Sequence, residues 1–199
     1  MSDISSFITA GGRSSRMGTD KAWLELDGRP MIEHVIAAVQ PVTPRVAIIA
    51  NQPEYQRLGY PLFVDSQSGI GPLEALRIAL SYTATDRVIL VACDLPFVTS
   101  DLLRFLVEAS NEHQATVPIG PDRKLEPLCA VYHRDALSVV SNLIIEGQRK
   151  IGLVFDRVAT RVIAFAELAH LPGSDMFFAN INTPEDYMRL RRLKSEQDR

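Results

Sequence analysis

Three kinds of residue in this chain could handle a phosphorylated ligand, and they lie far apart in the sequence. The first is a dense cluster, Ile8-Thr9-Ala10-Gly11-Gly12-Arg13-Ser14-Ser15-Arg16-Met17-Gly18-Thr19-Asp20-Lys21. An apolar run from Phe7 to Ala10 enters two glycines, which let backbone N–H groups approach an anion. Arg13, Arg16 and Lys21 bring positive charge to the same place. The combination reads as a loop for the triphosphate of a nucleotide. The second is Asp94, in Val91-Ala92-Cys93-Asp94-Leu95-Pro96. A carboxylate just past a buried strand suits Mg²⁺, a hard cation that takes oxygen ligands and shares them with substrate phosphates. The alternative for Asp94 is a turn or helix cap. The third kind is scattered. Asn51 and Asp65 could bond a base or ribose, or could serve as turn caps, and the residues alone leave both open.

The loop is neither of the commoner phosphate-binding patterns. Gly18 is followed by Thr19-Asp20-Lys21-Ala22, which breaks the Walker A form, and Gly11–Arg16 does not supply G-x-G-x-x-G. The string resembles the nucleotidyltransferase signature (L)-A-G-G-x-S-x-R-M-G-x-D-K, and within that group it is most similar to the molybdenum cofactor guanylyltransferases. The similarity continues through C-D-x-P at Cys93–Pro96 and N-x-N-T-P-E at Asn180–Glu185, so it spans Ile8 to Asp186. One departure stands at Gly71-Pro72-Leu73-Glu74-Ala75, where the family usually ends G-P-L-x-G.

The resemblance implies transfer of GMP from GTP to molybdenum-molybdopterin, with Mg²⁺ as cofactor and pyrophosphate released. It implies GTP contacts along Thr9, Ala10, Gly11, Gly12, Arg13, Lys21, Asn51, Asp65 and Asp94. Arg16, Lys21 and Asp94 would carry the catalytic role, and Asp94 would hold the metal. For the second substrate the candidates are Arg149, Lys150, Asn180 and Asn182. Arg149-Lys150 reads equally as a solvated surface, and Asn180–Asn182 as a turn before a capped helix. Glu126-Pro127-Leu128 precedes a strand and would line the same pocket. The product would pass to a molybdoenzyme or its chaperone. Competing readings are a cytidylyl sister enzyme, a sugar-phosphate nucleotidyltransferase, and a nucleotide-binding module without turnover. Cytidylyl relatives typically carry A-A-G and P-K where this chain has Ala10-Gly11-Gly12 and Asp20-Lys21. A module without turnover could lose Lys21 or Asp94, and both are kept.

The elements that must position these residues follow from periodicity. Strands are expected at Phe7–Ala10, Val46–Ala50, Leu62–Val64, Val88–Ala92, Ala115–Ile119, Leu128–Tyr132 and Arg161–Phe165. Helices are expected over Met31–Val39, Pro72–Tyr82, from the Thr99-Ser100-Asp101 cap onward, over Asp135–Ile145, and from Thr183. Trp23–Leu26 with the Asp27-Gly28 turn predicts a small hairpin. The alternation predicts a three-layer α/β Rossmann-like nucleotidyltransferase domain with a mostly parallel sheet, its ligands at the carboxyl ends of the strands.

The 199 residues fit a single domain over 1–199, with a charged, frayed tail from about 194. A net charge of −3 argues against general nucleic-acid binding. Cys93 and Cys129 form no disulfide framework or zinc motif, and Cys93 reads as a small buried residue rather than a nucleophile. No signal peptide and no membrane-length apolar run is evident, so no membrane partner is expected and a cytoplasmic location is. Trp23 is expected to pack rather than to stack on a base.

Overall fold

A computed structural model describes residues 3–11, 20–64, 71–181, 183 and 185–188. Seven strands form the main sheet: β1 (Ile4–Thr9), β4 (Val46–Ile49), β5 (Leu62–Phe63), β6 (Arg87–Ala92), β7 (Ala115–Pro118), β8 (Cys129–His133) and β9 (Thr160–Ile163). Their order is β5-β4-β1-β6-β8-β7-β9. β8 runs antiparallel to both neighbours, and every other pairing is parallel. The remaining strands, β2 (Glu25–Leu26) and β3 (Arg29–Pro30), make the expected hairpin. Its Asp27-Gly28 turn has positive φ at both residues (52° and 73°), as a two-residue hairpin of this hand requires.

Strand alternation sends successive side chains to opposite faces, and each face is covered by helices. Ile4, Ile8, Ile48, Ile89, Val91 and Val131 join the layer that holds α1 (Met31–Val39) and α3 (Ser100–Ala109). Phe7, Ile49, Val88, Leu90 and Tyr132 join the layer of α2 (Pro72–Tyr82) and α4 (Leu137–Ile145). The three layers are those the sequence predicts. α5 (Phe165–Leu168) is a short helix beside the sheet edge.

Several boundaries differ from expectation for local reasons. β1 begins three residues early, at Ile4, because Ser5 and Ser6 are buried despite their polarity, and Ser6 donates from its backbone to Arg45 O and from its hydroxyl to the same oxygen. β9 stops at Ile163 rather than Phe165, since the Glu167 carboxylate accepts from Ala164 N (2.9 Å) and starts a helical turn there. Arg134–Ala136 forms a 3-10 turn before α4, with the His133 ring accepting from Asp135 N. The Thr99 cap on α3 is present, its hydroxyl accepting from Leu102 N. At the chain's end residues 185–188 are helical, and Thr183 and Asp186 cap each other reciprocally, each backbone N–H donating to the other's side chain at 3.1 Å. The expected frayed tail lies outside the described residues.

Parallel pairing sets the carboxyl ends of β4, β1 and β6 side by side on one rim. Because β8 is antiparallel, its amino end joins the same rim. The segments after β4, β1 and β6 and before β8 are therefore neighbours at the roughly 4.8 Å spacing of adjacent strands.

Candidate active site

Lys21 and Asp94 meet at the centre of that rim. Lys21 Nζ donates to Asp94 Oδ2 at 2.5 Å, with both side chains about four-fifths covered (19% and 18% exposed). Spacing could not have shown this pairing, because 73 residues separate the two. Asp94 follows β6 and Lys21 opens a 3-10 turn, Lys21–Trp23.

A set of side chains holds that turn. Asp20 is its cap: one carboxylate oxygen accepts from Ala22 N (3.1 Å), and the other accepts from the Tyr55 hydroxyl (2.6 Å). Tyr55 is fully buried in a second 3-10 turn, Pro53–Leu58. Burial, followed by its hydrogen bond to Asp20, raises the Tyr55 phenol far above its usual range and keeps it a donor. Trp23 packs on Tyr55 with ring centres 5.1 Å apart, and the Arg57 guanidinium lies 3.7 Å over the Trp23 ring. Trp23 thus packs, as expected. Tyr55 and Arg57 were missed by the sequence reading, because only the fold brings them to Asp20.

Gly11 follows β1 with φ +73°, and a Cβ there would stand 2.3 Å from Gln52 Oε1. The backbone conformation selects glycine, and any Cβ there would also displace the Gln52 amide. Gln52 is a third missed residue. Its Oε1 is buried against Gly11 and has no hydrogen-bond partner among the described residues.

A cavity of about 240 Å³ opens at this rim. Thr9, Ala10, Gly11 and Lys21 line it from β1 and the turn, Asn51 from β4, Asp94 from β6, and Ala75 from α2. The structure thus brings together six of the expected contacts, Thr9, Ala10, Gly11, Lys21, Asn51 and Asp94. Gly12, Arg13, Arg16, Asp65 and Asn182 lie outside the described residues. Ala75, where the family usually has glycine, places its methyl on the cavity wall. Beside it Glu74 is fully buried and is held bidentately by Arg77 (2.7 and 2.6 Å).

The second-substrate candidates divide. Ile181 N donates to Asp94 O (3.2 Å), and the buried Ile181 side chain packs with Met31, so half-buried Asn180 is drawn to the Asp94 end of the rim. Arg149 and Lys150 are exposed between α4 and the 3-10 turn Ile151–Val154, and neither lines the cavity. Leu128 lines it, and Leu128 O accepts from Ala92 N. Glu126 is half-buried, and burial, with Asp122 and Asp94 adding to it, pushes its carboxyl up to about 7.

Cys93 and Cys129 are free and buried, and burial raises both thiols well above the usual range. Neither is an available nucleophile. Among the described residues no group of three or more His, Cys, Asp or Glu is set to hold a metal. A lone rim carboxylate fits Mg²⁺ better than a dedicated cage would, since that ion keeps waters and takes phosphate oxygens. No helix among the described residues is long and apolar enough to cross a membrane.

The sequence model of the MobA-like NTP transferase domain matches residues 6–161. A "probable molybdenum cofactor guanylyltransferase" of Carboxydothermus hydrogenoformans is 34% identical over 195 residues, covering 98% of each chain. The molybdenum cofactor guanylyltransferase of Vibrio parahaemolyticus is 32% identical and covers 94% of this chain and 95% of its own. In fold, the chain is similar to the molybdopterin-guanine dinucleotide biosynthesis protein A of Archaeoglobus fulgidus, with a TM-score of 0.82, 24% identity and coverage of 96% and 99%. The family model and the near full-length kinship agree: the chain belongs to the MobA-like NTP transferase family, among the molybdenum cofactor guanylyltransferases.

Proposed function

We propose that this protein transfers GMP from GTP to the phosphate of molybdenum-molybdopterin and releases pyrophosphate. The observation that carries the reading is the Lys21–Asp94 pair beside Gly11, on the wall of the cavity that Asn51 also lines. A phosphate oxygen of the second substrate attacks the α-phosphorus of GTP. One P–O bond forms as the bond to the β-phosphate oxygen breaks, so the reaction needs no protein nucleophile. This agrees with the buried, protonated cysteines.

The chain's task is then position and charge. Gly11 offers backbone to the triphosphate. Lys21 neutralises charge on the phosphates, and Arg13 and Arg16 would act from the same loop. Asn51 and Asp65 bond the guanine and ribose. Asp94 would hold Mg²⁺, which would supply charge to stabilise the phosphates and the leaving pyrophosphate. Asn180 and Asn182 serve the second substrate from the segment tied to Asp94 O. The site leaves Arg149 and Lys150 without an evident contact, so they are the weakest members of the set.

A base-reading site rejects analogues that leave its polar groups unpaired. GTP labelled at the α-phosphate, mixed with molybdenum-molybdopterin and Mg²⁺, should yield labelled dinucleotide and free pyrophosphate. CTP and ATP should give neither at comparable rates, and equal transfer from CTP would refute the guanylyl assignment.

A further inference from the structure

The structure treats its covered carboxylates differently. Glu74 is gripped by Arg77 and Asp94 by Lys21. Glu126, half-buried at the same rim, accepts no hydrogen bond and enters no ion pair among the described residues. The nearby ammonium, Lys124 Nζ, instead donates to Asp122 at 2.6 Å. A half-buried carboxylate without a donor from the protein is a candidate contact for a ligand that brings one.

Backbone pairing fixes where Glu126 stands. Its N–H donates to Pro118 O at the end of β7, and its own carbonyl accepts from Cys129 N at the start of β8. Two residues on, Leu128 lines the cavity and accepts from Ala92 N. Glu126 therefore lies past Asp94, on the side away from Asn51. Gly120 lies beneath it. A Cβ on Gly120 would come 3.1 Å from Glu126 Oε1, 3.2 Å from Asp122 Oδ1 and 3.6 Å from Phe178 Cδ2. The carboxylates of Glu126 and Asp122 and the edge of the Phe178 ring thus come together over Gly120. Phe178 is itself partly buried and set edge-on to Phe177, and it leads into the 179–181 segment that bonds Asp94 O. A ring beside a donor-seeking carboxylate suits a flat heterocycle with N–H groups along one edge.

Resting on the function proposed above, we propose that Glu126 reads the second substrate's pterin ring, accepting hydrogen bonds from its 2-amino group and N3–H while Phe178 packs against the ring. The arrangement divides the rim at Asp94. Nucleotide lies on the β1–β4 side and pterin on the β8–β7 side, with the phosphates meeting between them. The raised carboxyl of Glu126 agrees with a group that lacks donors until the ring arrives.

The test compares pterin-6-carboxylate with lumazine-6-carboxylate, which carries a carbonyl oxygen in place of the 2-amino group. Fluorescence titration of the full chain should show pterin bound at least about tenfold more tightly, since a half-buried acceptor penalises the analogue that lacks its donor. Glu126→Gln and Glu126→Ala should lose that preference and raise KM for molybdenum-molybdopterin, while calorimetric GTP affinity stays within about twofold, because the two subsites are separate. Glu126→Asp should recover part of the preference. Melting curves for all three check that the fold survives. The proposal is overturned if the wild type binds both probes alike while still transferring GMP, an outcome that leaves the proposed function standing. It is also overturned if the variants keep the preference, or if Glu126→Ala shifts the Mg²⁺ requirement instead. A wild type that neither transfers GMP nor binds the pterin probe overturns both readings.

Discussion

On the β1 side of Asp94, Lys21 is held by contacts that run through Asp20 to Tyr55, Trp23 and Arg57, whereas on the β8 side Glu126 stands over Gly120 with no donor among the described residues. In the proposed division the two sides face different ligand chemistry. A triphosphate carries several charges, and a cation aimed at it gains most from being fixed before binding. A neutral heterocycle brings its own donors, so the acceptor that meets it must stay unsatisfied until then. The first arrangement supports the fold, while the second weakens it in exchange for selectivity.

Asp94 joins the two sides, so changing it should have the largest effect. Asp94→Asn keeps shape and removes the charge proposed to hold Mg²⁺. GMP transfer should fall about 10²–10³-fold, the loss typical when one preorganised electrostatic contact to a transition state is removed. Turnover across a Mg²⁺ titration, beside a melting curve, checks this. Near-normal turnover at the same Mg²⁺ concentration would put the metal elsewhere, with Asp65 the next candidate.

Lys21→Ala acts chiefly on the proposed nucleotide side. It should cost about a hundredfold in kcat/KM for GTP, in the range of a lost charge-assisted contact, and leave pterin binding unchanged. A large fall in melting temperature with little kinetic change would instead make Lys21 structural.

Tyr55→Phe removes the hydroxyl that fixes Asp20. The hydrogen bond is worth about 0.5–1.5 kcal/mol, and KM for GTP should rise only a fewfold as the turn that carries Lys21 loosens. Unchanged kinetics would mean that Lys21 is placed by other contacts.

The smallest effect concerns pH and the other side. In the folded chain burial first, then Asp122 and Asp94, raise the Glu126 carboxyl to about 7 against an ordinary 4.5, with Lys124 opposing. Between those values the folded state holds more protons than the unfolded one, so this contribution favours the fold at low pH and is lost as pH rises through the window. Glu126→Gln removes the penalty. Its melting temperature should exceed the wild type's at about pH 8, and the gap should narrow toward about pH 5. A constant gap across that range would deny that Glu126 titrates in it.

Much of this was legible in the sequence where a pattern is local. The helices expected at about Pro72–Tyr82 and through the Met31–Val39 spacing are both present, because apolar spacing and Pro72 lie within a few positions. The Asp27-Gly28 hairpin was readable for the same reason. Contributions that depend on distant partners were not. The expected first strand starts at Phe7, because nothing local marks Ser5 and Ser6 as the buried strand residues they are. The antiparallel course of β8, which puts Glu126 on the ligand rim, leaves no mark on its apolar run. In the site, Gly11, Lys21 and Asp94 stood out by type and motif, but the role of Asp20 as a cap required Tyr55 from another turn. Glu126 was flagged only as a lining residue, since its lack of a donor is a property of the packed structure.

The division of the rim at Asp94 is tested most directly by asking whether both sides fill at once. Pterin-6-carboxylate is titrated by fluorescence against the protein in Mg²⁺, with and without a saturating GTP analogue whose α,β-bridge is methylene. The account predicts a ternary complex, with the pterin Kd shifted by no more than about threefold by the nucleotide, the signature of weakly coupled separate sites. Progressive displacement of the pterin by the GTP analogue would place both on the same side of Asp94 and contradict the account.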